Sequence, residues 1–587
     1  MGAFMLFPQG TKLNIEKARD LMRDKGFKDP LEFELGSWML LLYSKMTYNV
    51  PQCYRDGKDG IYAVGTFTYR GLSISDSLSA LLKDKLEGKL ELSELFGHYT
   101  LIFHIHGSIE LMGDPTRIKH VFTNQHGIFF SSSLLAVAMI CEKLTVNKMA
   151  FYEKCLTGII VSPDTIFNEI ITVNHEVAMR ITSQSNGIVF FEWPYQMESI
   201  EYHTDSRAKS AAIQGRFLTQ YLKNWTLITG GGKVDLGLSG GYDSTLLFAA
   251  LYPIFKEGLH VHTHSTGHIH DHEKKVALDI TQSKDLDCRI IHTERFDSMA
   301  SDPEPLLLEN LLFFDGRTSF DMGGFSPTYT ADYRKSATEM CALTFSGVGG
   351  EAFRNNFSIV GETIKSERFF KDCVFIPYFK TAINNDELYY KVVNFHLDKC
   401  EKNLKAKLRG RVDMLVIRRY YSEIMMPEGQ GHVLDAYNTV SACVAPFLEK
   451  CILNQAYKGL PYLGNYGEYE AAIIKSLDSE LARHMSSYGY PFDYIPLKNR
   501  VKNYIRARVP GSVWTWFSEY IRGKSKTMSN ITYFHGILDR CNWLEEAYAR
   551  LKSNFPEIGF SDAMKGSSVM ANISYIALTL DYIERNK

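Results

Sequence analysis

A chain of 587 residues, 45% hydrophobic and 22% charged, has room for about two to four domains and enough apolar mass to build sizeable cores. Its net charge of −2 and pI near 6.8 exclude a global basic field of the kind that draws proteins to nucleic acid or to anionic membrane surfaces. No run approaches the roughly 18 apolar residues of a membrane span. The ten cysteines contain no C-x-x-C pair and read as reduced thiols, so a cytoplasmic protein is expected.

Taken in chain order, residues 1 to about 200 read as mainly β. The stretches 60–71, 98–114, 119–133 and 176–193 alternate apolar and polar residues around glycine or asparagine turns, the pattern of successive hairpins. Helical stretches near 74–87 and 133–142 interrupt them. From about 205 the rhythm changes. A helix (207–224) leads to the strand "VDLGL", then a loop, a helix, the strand "LHVHTHS" (259–265), a helix (271–282) and the strand "CRIIHT" (288–293). Alternation of strands and helices predicts a parallel α/β sheet. A further strand, "CALTFSG" (341–347), runs into "VGGEAFR", and beyond about 360 the pattern is mostly helical.

The stretch "LGLSGGYDSTLLFAALY" (236–252) places two glycines, two serines and an aspartate between a strand and a helix. Gly240 and Gly241 let the backbone approach an anion closely, and the helix start offers unpaired N–H groups. Ser239 and Ser244 can donate hydroxyl hydrogen bonds to phosphate oxygens. Asp243 repels a bare phosphate, so its presence predicts a bridging Mg2+. A Walker loop is excluded, because no Lys-Ser/Thr closes the motif. A plain tight turn is the alternative use of the same residues.

Ser-Gly-Gly-x-Asp-Ser after a strand resembles the pyrophosphate loop of the ATP pyrophosphatase enzymes, the class that includes asparagine synthetase and GMP synthetase. The stretch "LTFSGVGGEAFR" (343–354) is similar to the second asparagine-synthetase motif, with Glu351 at its Mg2+-binding acid. "VAPFLEKCIL" (444–453) is similar to its Val-Pro-Phe-Leu-Asp segment. The stretch 97–137 follows the shape of a class II glutamine amidotransferase domain. The resemblance implies an α/β protein: a β-rich Ntn-hydrolase-like domain over 1–200, then a parallel α/β PP-loop synthetase domain over 205–587, adenine nucleotide α-hydrolase-like, with a helical C-terminal region. It implies ATP and Mg2+ as cofactors, with Asp243 and Glu351 on the metal. Leu238, Ser239, Gly240, Gly241, Ser244, Gly347 and Gly349 would lie around the nucleotide, and Ser265 near the adenosine.

Two departures modify that implication. The amidotransferase nucleophile is a cysteine directly after the initiator; this chain has Gly2, and the glutamine clamp falls on Val64-Gly65-Thr66. Glutamine hydrolysis is therefore not expected, as in the similar β-lactam synthetase and lasso-peptide cyclases. In the synthetase half, Ala442 stands at the family's glutamate. The α-phosphate lysine has no aligned counterpart near 479–492, which leaves Lys498, or Lys502, from a shifted loop.

Three other features stand out. Six histidines fall within 260–272, with His260, His262 and His264 at period two on one strand face. They read as a metal site or, better, as part of the strand end that holds adenosine. Arg354 reads as a ligand for phosphate or substrate carboxylate, or as a surface ion pair. The aromatic stretch 513–522 reads as amphipathic packing. The expected activity is an AMP- and pyrophosphate-forming, amide-forming ligase acting on a small-molecule or peptide carboxylate, with a partner supplying the amine or a precursor peptide. A nucleotide-binding scaffold and a conventional asparagine synthetase are the alternatives.

Overall fold

The computed structural model describes residues 2–47, 50–173, 177–181, 188–192, 199–265, 271–292, 303–317, 325, 330–338, 341–383, 385–506, 508–509, 536–537, 539–559 and 567–587. The stretch 513–522 and the histidines at 268 and 270 lie outside them.

The first 200 residues form two antiparallel six-stranded sheets. One runs in the order β10 (Ile170–Thr172), β8 (Phe122–Asn124), β9 (Phe130–Ser131), β1 (Ala3–Pro8), β3 (Trp38–Tyr43), β2 (Leu31–Leu35). The other runs β12 (Ile188–Glu192), β11 (Val177–Ile181), β7 (Ser108–Gly113), β6 (Leu95–Ile105), β5 (Asp59–Tyr69), β4 (Cys53–Asp56). Residues two apart point to the same face. Phe4, Leu6, Leu40 and Leu42 of the first sheet therefore meet Tyr62, Val64, Ile102 and Leu111 of the second in one core. The alternate residues Met5, Phe7, Leu41 and Tyr43 face outward onto helices that include Leu134–Ile140 and Lys148–Thr157. Both faces of this first sheet are thus covered. The β6–β7 hairpin turns at His106 and Gly107, both at positive φ (51° and 77°), the geometry a tight two-residue turn demands.

The second half carries a five-stranded parallel sheet. Its order is β15 (Cys288–His292), β14 (Leu259–Ser265), β13 (Val234–Gly237), β16 (Leu343–Phe345), β19 (Cys443–Val444). Two short strands, β17 (Thr363–Lys365) and β18 (Arg411–Asp413), pair separately. The outer face of the β5–β6 sheet, with Ile61, Phe67 and Leu101, shares a core with Trp225, Val234, Leu236 and Leu247 of the parallel half. The C-terminal helix Ser567–Asn586 returns to pack against the first sheet's helical layer. No described helix is long and apolar enough to cross a membrane.

The loop after β19 fastens the two halves. Ala445 N–H donates to His98 Nε2 at 3.1 Å, and Gly97 N–H donates to Glu449 Oε1 at 2.7 Å. Burial, with the Asp114 charge nearby, holds the Glu449 carboxyl well above the ordinary glutamate range. The folded chain therefore keeps a proton that the unfolded chain has released, and this group's contribution to stability falls as pH rises above the usual glutamate pKa. Glu449→Gln keeps an acceptor for Gly97 without the charge. Thermal unfolding should show little change at pH 4 and a gain of about 1–2 kcal/mol at pH 8; an equal or larger loss at pH 8 would contradict a protonated Glu449.

Candidate functional site

The order of the parallel sheet determines where a ligand can bind. From β13 the chain steps outward to β14 and β15, then returns to the other side for β16 and β19. The connections leave β13 in opposite directions, so a crevice opens at the carboxyl ends of β13 and β16. The loop 239–241 follows β13 and the loop 346–350 follows β16, which puts both glycine-containing motifs at this switch point.

In the first loop Gly240 has φ +69°, and a Cβ there would stand 2.3 Å from Val276. Only glycine fits that turn. Gly241 is the N-cap of the 14-residue helix Tyr242–Phe255, and no side chain caps it, so the helix start offers backbone donors and its positive dipole end. Ser239 N–H donates to Ser244 Oγ at 3.2 Å, and the two hydroxyls lie 3.1 Å apart. Leu238 N–H is committed to the His262 carbonyl, extending the ladder with β14.

The second loop packs on the first. A Cβ at Gly347 would lie 3.3 Å from Ser244 N, and one at Gly350 only 2.3 Å from Asp243 Oδ1. Gly349 takes φ +93° and starts the short turn that carries Glu351. Three acids and one arginine then converge. Arg354 Nη2 donates to Asp243 Oδ2 at 2.8 Å and lies 3.1 Å from Glu351 Oε1; Nη1 lies 3.6 Å from Glu470 Oε2. Tyr421 O–H donates to the other Glu351 oxygen at 2.7 Å. The Arg354 side chain is 7% exposed and Glu470 is fully buried, whereas Asp243 and Glu351 keep 23% and 32% exposure toward the crevice.

Three carboxylates around one guanidinium repel one another. Burial first, then the charge of Glu351, raise the Asp243 carboxyl to about 6 against the pull of Arg354, and Glu470 is raised well above its usual range by burial and by Asp243. Among the described residues, Asp243 Oδ1 and both Glu470 oxygens are buried without a hydrogen-bond partner. Orphaned carboxylate oxygens beside a glycine-lined crevice fit a hard divalent cation such as Mg2+, which takes oxygen ligands and would relieve the repulsion.

An aromatic wall closes this corner. Tyr242, Tyr466 and Tyr488 pack together, with ring centroids 5.0–6.3 Å apart. Ser487 N–H donates to the Gly240 carbonyl at 2.9 Å, so the segment 485–492 lies directly on the glycine loop. The Tyr466 ring has Arg354 on it at 5.9 Å and Arg506 at 5.8 Å. Beyond Arg506 opens a cleft of about 610 Å³, whose described lining sets Lys365, Arg368, Arg411, Arg506 and Arg508 against Asp372.

The structure thus brings Ser239, Gly240, Gly241, Asp243, Ser244, Gly347, Gly349, Glu351 and Arg354 together. Arg354 makes its ion pairs in the interior instead of on the surface. Ser265 is buried at the carboxyl end of β14, on the flank of the crevice. Lys498 is exposed on the helix Leu497–Arg506, and no described contact ties it to the acids. Eight residues on, roughly 12 Å along that helix, Arg506 is the cation that reaches the Tyr466 ring. The strand histidines divide. His262 Nδ1 on β14 pairs with Asp235 Oδ1 on β13 at 2.7 Å, while the exposed His264 stacks on Tyr333. Glu470 and the tyrosines were not singled out in the sequence. Glu470 had a readable signal: it shares the i, i+3, i+4 stripe with Ile473 and Ile474 and is carried into the core with them.

The positions expected for glutamine chemistry are filled. A Cβ at Gly2 would meet the Phe27 ring at 2.7 Å and the Ser44 carbonyl at 2.9 Å. Thr66 is fully buried, and its hydroxyl donates to Asn438 Oδ1 at 2.6 Å.

No protein-family model matches this chain, and no curated protein does. Among solved structures it is similar to the glutamine phosphoribosylpyrophosphate amidotransferase from B. subtilis complexed with ADP and GMP, at 12% identity and TM-score 0.22. That match covers 40% of this chain and 60% of the other, so it spans less than two thirds of that enzyme. It is also similar to the allosteric regulatory enzyme of purine biosynthesis, at 9% identity and TM-score 0.24, over 50% of this chain and 80% of that one. At such scores the likeness assigns no activity.

Proposed function

We propose that this chain is a ligase that adenylates a carboxylate at the expense of ATP, releases pyrophosphate and forms an amide. The observation that carries this reading is the convergence of the 239–241 loop, the uncapped helix start and the acids Asp243 and Glu351 at one switch point. On this reading residues 205–587 form a PP-loop synthetase domain, and residues 1–200 a degenerate amidotransferase domain of a cytoplasmic protein.

The chemistry follows from the groups present. The backbone N–H groups after Gly240 and the Ser239 and Ser244 hydroxyls bind the β- and γ-phosphates of the substrate ATP. Asp243 and Glu351 would hold Mg2+, which when bound would supply charge neutralisation for the pyrophosphate. An acceptor carboxylate oxygen attacks the α-phosphorus, the α–β bridging bond breaks, and pyrophosphate leaves from the loop. An amine then attacks the acyl carbon, AMP departs, and the proton the amine gives up passes to water. Because both partners are held in one crevice, positioning supplies much of the rate. The cation-lined cleft beside Tyr466 supports entry of an anionic acceptor, a small molecule or a peptide carboxylate. Ammonia, or an amine presented by a partner protein or by the acceptor itself, completes the amide. The filled positions at Gly2 and Thr66 support a nitrogen source other than glutamine hydrolysed in the N-terminal half.

The wild-type protein, incubated with ATP, Mg2+ and a small-molecule and peptide extract of its host, is expected to release AMP and pyrophosphate in equal amounts. Aspartate plus ammonia forms a separate arm for conventional asparagine synthesis. ADP and phosphate as products would refute adenylation. Gly350→Ala should cut AMP formation about 100-fold, since its Cβ displaces the Asp243 carboxylate while the fold is retained. One observation favours a second reading, a nucleotide-binding scaffold: Arg354 already engages Asp243 Oδ2 and Glu351 Oε1. That reading requires saturable Mg·ATP binding with no AMP formed by any acceptor fraction.

A further inference from the structure

A second cluster lies where the two halves meet, away from the crevice. His120, between β7 and β8, faces Glu428 and His432, which are four residues apart on the helical run leading into Gln430–Val440. One liganding atom from each of the three lies within 4.8 Å of the others; His120 and Glu428 are buried and His432 is nearly so.

The hydrogen bonds around His120 define what it presents. Its Nδ1 lies 3.2 Å from the Ile118 carbonyl, an acceptor only, so Nδ1 carries the proton and donates. In the neutral ring Nε2 then carries a lone pair. Nε2 is buried, has no hydrogen-bond partner of good geometry among the described residues, and lies 3.4 Å from Glu428 Oε2. A lone pair facing a carboxylate oxygen is repulsive unless something positive stands between them. The other Glu428 oxygen accepts the Ser162 N–H at 3.1 Å, which orients the carboxylate. The His432 ring stands edge-on to that of His120, with centroids 5.2 Å apart.

These distances suit a small tetrahedral ion. Two ligands each 2.0–2.1 Å from a tetrahedral centre are about 3.4 Å apart. Two imidazoles and one carboxylate favour zinc over Mg2+ or Ca2+, which prefer oxygen-only sets. The Ile118 carbonyl and Ser162 N–H supply the outer hydrogen bonds that fix ligands in such sites. A cavity of about 60 Å³ adjoins the cluster, with Lys154 and Arg317 in its wall, so the remaining position has room for water or a small anion.

We infer that His120, Glu428 and His432 form a zinc site that joins the β-sandwich half to the C-terminal half. It is independent of the ATP chemistry proposed above.

The full-length protein, stripped with a chelator and titrated with Zn2+ alone by calorimetry, should bind one ion per chain. Co2+ loaded in its place should show the intense visible absorption of tetrahedral coordination. His120→Gln and His432→Gln should each weaken binding by about 100-fold or more, while His264→Ala, at a surface histidine outside the cluster, should leave it unchanged. A wild-type protein that takes up no stoichiometric Zn2+ overturns the inference. So do His120 and His432 variants that bind as tightly as the wild type, or a Co2+ spectrum without tetrahedral bands. Should either variant fail to fold, the Co2+ spectrum and metal stoichiometry of the wild type decide the matter alone.

Discussion

Asp243→Asn is expected to lower AMP and pyrophosphate formation by about 10²–10³-fold while leaving the fold intact. The substitution is nearly isosteric and removes only the charge. Asp243 sits in the first turn of Tyr242–Phe255, with one oxygen on Arg354 and the other, among the described residues, without a hydrogen-bond partner. An amide cannot replace a carboxylate on a hard cation, so the apparent affinity for Mg2+ should fall along with the rate. Stability should move the other way. The cluster holds three acids against one guanidinium, and removing one charge relieves the burial cost and the repulsion from Glu351 that together lift Asp243 to about 6. The melting temperature at neutral pH should therefore be unchanged or slightly higher. Rates and melting curves on the same preparation check both halves. An Asp243→Asn protein with wild-type AMP formation would remove Asp243 from the reaction.

Arg354→Met should have the largest effect on stability, a loss of about 3–5 kcal/mol. The side chain is almost completely buried, and three carboxylates depend on its charge. Methionine retains the packing between Tyr242 and Tyr466 but leaves those acids uncompensated. The sign with pH follows. Asp243 and Glu470 have raised pKa values and are neutralised as pH falls, so the loss should be greatest at pH 8 and smaller at pH 5. Adding Glu470→Gln should recover a large part of it, and a double-mutant cycle by denaturant unfolding gives the coupling. Additive losses, or a loss independent of pH, would show that Arg354 acts through packing alone. Arg354→Lys should also be defective, because a point charge cannot engage Asp243, Glu351 and Glu470 in the same fixed arrangement.

Several elements were legible in the sequence because their signals are local. Alternation marked β5, β6 and β7, and the amphipathic or capped stretches at 74–86, 207–223 and 272–282 appear as helices close to the expected bounds. The strands β1 and β3 were not legible. "AFMLFP" and "WMLLLY" lie between a sheet and a helical layer, are apolar on both faces, and so lack the alternation that identifies a half-buried strand. Short β19 depends on its neighbours, since two residues carry no periodicity, whereas β16 lies inside the strand expected over 341–347. The region beyond 360, mostly helical as expected, contains β17, β18 and β19 for the same reason.

The candidate site divides in the same way. The sequence by itself determined the composition of each loop, because a glycine at positive φ, a serine beside a helix start and an acid in the first turn answer to constraints within six residues. It also determined that residue 2 carries no thiol. Only the tertiary structure decided that Asp243, Glu351, Arg354 and Glu470 share one volume. That contact depends on β13 and β16 lying side by side although more than 100 residues separate them in the chain. It likewise decided that His120 of the sandwich meets Glu428 and His432 of the second half. No local pattern encodes such pairings, because they arise from burying the apolar faces of sheets and helices against one another, and the polar groups are carried along with them.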